Sequence, residues 1–60
     1  MTKKYTIYDN KNEIIFESDD MFEVNHFIEY NLESSDLLYL HKENNIFIMY
    51  FVNYTIYMKM

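Results

Sequence analysis

The segment from Ile46 to Lys59 places the tightest constraint on how this chain can fold. Its even positions Ile46, Ile48, Tyr50, Val52, Tyr54, Ile56 and Met58 form one unbroken apolar series, and Phe47, Met49 and Phe51 extend apolar character to the alternate positions. A period of two is the signature of a strand, and a strand that is apolar on both sides needs cover on both sides. No strong breaker interrupts the run, so either one long strand bends near Asn53 or two strands divide there. Ordinary strands hold about five or six residues, so a single long one would protrude beyond its hairpin partner. Tyr54, Ile56 and Met58 of that overhang are then expected to pair with a symmetry mate and form a dimer interface, which would remove an exposed edge. The alternative is a single subunit in which the last residues fold back as a fifth strand.

The preceding sequence supplies the partners. Tyr5-Thr6-Ile7-Tyr8 and Ile14-Ile15-Phe16 flank Asp9-Asn10-Lys11-Asn12, a cluster of turn formers, and predict a hairpin with Ile7 opposite Ile14 and Tyr5 opposite Phe16. Asp20 followed by Glu23 resembles a capping box, and a helix is expected from about Asp19 to Glu33, ending at Ser34-Ser35-Asp36. Met21, Val24, Ile28 and Leu32 share one side of that helix and form its core stripe. Leu37 to His41 reads as a third strand, and Asn44-Asn45 as a two-residue turn that sets Tyr39 opposite Tyr50, Leu40 opposite Met49 and Leu38 opposite Phe51. The fold class expected is α+β: an antiparallel sheet of four to five strands in the order β-β-α-β-β, with one helix on one face.

Composition explains how such turns are made. The chain has 60 residues and a mass of 7.5 kDa, read as one domain over residues 1–60, and contains no Gly, Pro or Cys. Seven Ile, seven Asn and seven Tyr, with no Ala or Arg, point to an AT-rich genome. Asparagine is the residue besides glycine that most readily enters the left-handed region, so Asn10, Asn12, Asn44 and Asn45 take over the turns. With 50% hydrophobic residues the chain should fold, yet at roughly 0.05–0.15 kcal/mol per residue its stability would be only a few kcal/mol. Disulfides are excluded and a structural zinc is not expected from two histidines, which leaves self-association as the staple and a homodimer as the expectation. The apolar run from Ile46 is too short for a membrane helix, and a cytoplasmic protein without cofactors or metals is expected.

Charge is unevenly placed. Residues 17–36 contain Glu17, Asp19, Asp20, Glu23, Glu29, Glu33 and Asp36 and no lysine, while the net charge of the whole chain is −5. Solubility alone accounts for much of such a helix face; it also disfavours direct nucleic-acid binding and favours a basic or mixed protein surface. Opposite the core stripe, Phe22, His26 and Tyr30 recur at four-residue spacing among Glu23, Glu29 and Glu33. Aromatics within a polar rim form the usual centre of a protein interface, so these six residues are the candidate partner surface. A homodimer contact, or burial of Phe22 or Phe27 at the core margin, would place the same side chains differently.

Catalysis finds no constellation. His26 and His41 are the two histidines, the residue type suited by its unperturbed pKa to proton transfer near neutrality, and there is no cysteine nucleophile, His-Glu-x-x-His or glycine-rich phosphate loop. Asp9-Asn10-Lys11-Asn12-Glu13 resembles a calcium loop superficially, but Lys11 stands at a ligand position and the turn glycine is missing. The chain is expected not to be an enzyme.

In size, acidity and lack of cysteine the chain resembles the small inhibitor proteins carried by bacteriophages of low-GC hosts. This class includes anti-CRISPR proteins, anti-restriction DNA mimics, uracil-DNA glycosylase inhibitors and antagonists of helicase-nuclease defences such as Hachiman. The resemblance implies a non-enzymatic protein that binds and blocks a host or defence protein in the host cytoplasm. A DNA mimic that fills a nucleic-acid groove and a structural oligomerisation module are the alternatives.

Overall fold

The computed structural model describes residues 3–32 and 36–59. Strands β1 (Tyr5–Asp9) and β2 (Ile14–Ser18) precede helix α1 (Met21–Asn31), and β3 (Leu37–Glu43), β4 (Ile46–Phe51) and β5 (Tyr54–Lys59) follow it. The strands form one antiparallel sheet in the order β2-β1-β5-β4-β3, with the helix packed against β2, so the α+β expectation holds.

The C-terminal run divides at Val52-Asn53, and β5 folds back between β4 and β1. This corrects the expected overhang and its pairing with a symmetry mate. Both edges of β5 are occupied within the chain, Tyr54 and Ile56 are buried, and Met58 packs against the core. Tyr54, Ile56 and Met58 are therefore interior residues and offer no strand edge for a dimer. The seam between β1 and β5 extends past Tyr5, where the Lys59 amide donates to the Lys4 carbonyl at 2.9 Å.

Turn chemistry follows the asparagines. Asn12 and Asn44 have φ of 65° and 52°, the left-handed region in which a short polar side chain is tolerated. At the first turn, Asp9 accepts hydrogen bonds from the Lys11 and Glu13 amides at 2.8 and 2.9 Å, so its carboxylate holds the loop's own backbone. Here the register differs from expectation: Ile7 pairs with Phe16 and Tyr5 with Ser18, because Asp9 extends β1 and a bulge near Ile15 absorbs one residue. The shift along β2 is by two positions for these pairs, which leaves the facing of the side chains intact. In the second hairpin Tyr39 opposes Tyr50 and Leu40 opposes Met49 as expected, but an irregularity beyond Tyr39 sets Leu37, in place of Leu38, opposite Phe51.

The helix is shorter than the sequence suggests. Asp20, in extended conformation, caps it by accepting from the Phe22 amide at 2.9 Å. Glu23 does not close a capping box; the buried Ser18 hydroxyl accepts from the Asp20 amide at 3.0 Å and donates to the Glu23 carboxylate. At the other end the Leu32 amide donates to the Ile28 carbonyl, and Asn31 Nδ2 donates to the Phe27 carbonyl at 3.2 Å, so polar groups close the helix where glycine usually does. The expected stop at residues 34 and 35 lies outside the described residues.

A small core sits under the first half of the sheet. Tyr5, Ile7, Val24, Tyr54 and Ile56 are buried, with Phe16, Phe27, Ile28 and Leu32 packed around them. Val24, Ile28 and Leu32 of the expected stripe point inward, whereas Met21 is exposed and Phe27 takes its place by stacking on Phe16 at 4.4 Å. On the opposite face of the sheet, Tyr8 packs edge-on to Tyr57 at 4.9 Å and Tyr39 leans on Tyr50 at 5.8 Å. Tyrosine suits a face without a second layer, since each ring is apolar along its body and polar at its tip.

Candidate functional site

Helix α1 turns one side to the core and leaves the other to solvent. Phe22 is 84% exposed and Tyr30 70%, values uncommon for large aromatics in a chain with so small a core. His26 lies between them and contacts the Tyr30 ring at 4.5 Å. Glu23 and Glu29 are exposed on the same helix. Five of the six residues expected at a partner surface are thus brought together on α1, and Phe22 is not at the core margin; Glu33 lies outside the described residues.

The arrangement includes two aromatics that are not among the expected partner-surface residues. Phe16 from β2 and Phe27 from α1 floor a hollow of ≈ 410 Å³ whose other walls are Phe22, Glu23, His26 and Asn31. The outer aromatics are therefore continuous with an apolar cleft between the helix and an edge strand. The missed signal was the sequence distance: Phe16 joins the helix only through the β1–β2 register, which a wheel drawn on α1 does not contain.

Ser18 fixes the geometry at the start of the site. Because its hydroxyl bridges the Asp20 amide and the Glu23 carboxylate, the acid at the mouth of the hollow is tied to the end of β2. Asp19 is engaged by the N-terminal segment, accepting from the Lys4 amide at 2.8 Å and lying 3.7 Å from the Lys3 amine. This exposed ion pair contributes little to stability, but it aligns the chain entering β1 with the start of the helix.

His41, the other candidate proton carrier, is on β3, with its Nε2 3.4 Å from a Glu43 carboxylate oxygen and its ring 6.2 Å from Tyr39. It does not meet His26 in a common site, since one is on the helix over β2 and the other on the far edge strand. Among the described residues no helix is long and apolar enough to cross a membrane. Nor do three or more His, Asp or Glu side chains there gather as a metal-ligand group.

A second exposed apolar region lies on β3. Leu37, Leu38, Tyr39 and Leu40 are all at least half exposed or nearly so, with Leu38 at 65%. Comparison with family models, curated proteins and solved structures finds no match to this chain.

Proposed function

We propose that the chain is a non-enzymatic protein-binding inhibitor, phage-encoded, that blocks a host or defence protein of the anti-CRISPR, anti-restriction or anti-Hachiman type. The observation that carries this reading is the exposure of Phe22 and Tyr30 on a helix whose neighbouring charges are Glu23 and Glu29. Burying two aromatics within an acidic rim on a basic or mixed protein surface supplies both an apolar anchor and charge steering. Occupying a functional surface of the target needs no catalytic group, cofactor or membrane, and the host cytoplasm is where such a target would be met.

Replacing Phe22 and Tyr30 with Ala tests this reading. Each truncation should weaken target capture by about tenfold or more while circular dichroism remains that of the folded chain. Undiminished capture by folded variants would remove α1 from the interface. Affinity that falls steeply with salt yet ignores both aromatics would favour the DNA mimic, in which carboxylates replace phosphates.

Homodimer formation belongs to the same proposal, now through a different element. Leu38 and Leu40 are exposed on β3, an edge strand of the sheet among the described residues, and pairing two such edges would cover apolar area that one chain leaves in water. That surface is distant in the sheet order from the helix-bearing strand β2, so self-association and target binding would not compete.

A further inference from the structure

We infer that the cleft between α1 and β2 accepts an extended segment of the partner by strand addition, and that this segment alternates basic and apolar residues. The inference rests on the inhibitor reading and specifies how the partner is held. Among the described residues strand β2 has β1 as its one neighbour in the sheet, so its outer edge is available to a further strand. Phe16 of this strand lines the hollow whose other walls include Phe22, Glu23, His26 and Phe27. An added strand would lie with one face toward this hollow.

Strand periodicity then sets the pattern of the occupant. Phe16 pairs with the buried Ile7 and faces the helix, whereas Glu17 pairs with Thr6 and is exposed on the opposite face. Side chains of an incoming strand alternate in the same way, so every second residue would face the phenylalanines and the others would run beside Glu17. Apolar residues fit the first set. Lysine or arginine fits the second, and Glu23 at the mouth of the hollow adds a further acid that a basic residue at the end of the segment would meet. From Glu17 to Asp36 the sequence has no lysine, and of the two nearby lysines Lys3 lies 3.7 Å from Asp19 and the Lys4 amine 5.6 Å from the Tyr5 ring, which leaves Glu17 and Glu23 to attract a basic segment. Main-chain pairing supplies part of the affinity, and the hollow with its acidic border supplies selectivity.

A direct test titrates the full chain, followed by amide NMR, with a short synthetic peptide that alternates lysine and valine around one central phenylalanine. The expected result is saturable shifts at the amides of Ile14–Ser18 and of Phe22 and His26, with β3 unaffected. The Phe22→Ala chain should bind about tenfold more weakly. A peptide N-methylated on alternate residues should lose binding, and one with glutamate for lysine should not bind. Shifts centred on β3, retention by the N-methylated peptide, equal binding of the glutamate peptide, or no saturable binding would each overturn the inference. If the peptide fails while Phe22 and Tyr30 still govern target capture, strand addition falls and the inhibitor reading stands; if both fail, neither survives.

Discussion

The two ends of the sheet treat the same kind of residue in opposite ways. Under the helix, Ile7 of β1 is fully buried and Ile56 of β5 nearly so. At the other end, Leu37, Leu38 and Leu40 of β3 lie open to solvent, beyond the reach of an eleven-residue helix packed over β2. Each half contains antiparallel pairing with one irregularity and ends in one edge strand, so hydrogen bonding does not distinguish them. Cover does. A small chain can extend a sheet by hairpins more readily than it can supply a second layer, and the excess of sheet over helix becomes surface available for contacts.

The largest expected effect lies in the covered half. Ile7→Ala should lose about 2–5 kcal/mol, comparable with the whole stability of a domain of this size, whereas Leu38→Ala should remain within about 0.5 kcal/mol. Urea unfolding of the two variants measures the contrast directly, and similar losses would erase the distinction between the halves.

Tyr54 offers a pH handle on the same boundary. Burial disfavours its phenolate and raises its pKa from the ordinary value of 10.0. The unfolded chain therefore releases this proton at a lower pH than the folded one. The contribution is fully present below about pH 10 and is lost as the pH rises from the unfolded toward the raised folded value. Tyr54→Phe should move the midpoint of alkaline unfolding upward, as followed by circular dichroism; an unchanged midpoint would show that other groups govern the transition.

The smallest effect on stability, and the sharpest on assembly, is expected at the open end. Leu38→Lys should leave the urea midpoint nearly unchanged, since the residue makes no use of the core, yet a charge on the β3 edge should disfavour strand-to-strand pairing. Sedimentation equilibrium would report this as a shift toward monomer. A dimer of equal strength in the variant would place the contact elsewhere.

Much of this architecture was legible before any coordinates. Alternation identified the strands, and Asn44-Asn45 fixed Tyr39 opposite Tyr50 because a two-residue loop leaves little freedom of register. Legibility ended where a residue was inserted without a local marker, at the bulges near Ile15 and Leu38. The turn at Val52-Asn53 was ambiguous for a related reason: in a chain with no glycine or proline, a lone asparagine between apolar residues carries a weak breaking signal. Misplacing that turn also misplaced Tyr54, Ile56 and Met58, which moved from an imagined interface to the interior. At the candidate site, helical spacing was enough to expose Phe22, His26 and Tyr30. It did not show that Ser18 would hold Glu23, or that Phe27 would displace Met21 from the core, because both depend on where β2 lies beneath the helix.

The hydrogen bond between Lys59 and Lys4 has a consequence for how quickly the sheet can assemble. Every other pairing joins strands that are neighbours in sequence, but the β1–β5 seam must close a loop of nearly the full chain before its contacts are gained. Because the outer ends of these two strands lie side by side, a short peptide link between them would turn that distant pairing into a hairpin. New ends could then be opened between α1 and β3, since β2 and β3 do not pair in the sheet. Such a circular permutant would keep the same sheet while exchanging its slowest closure for a local one.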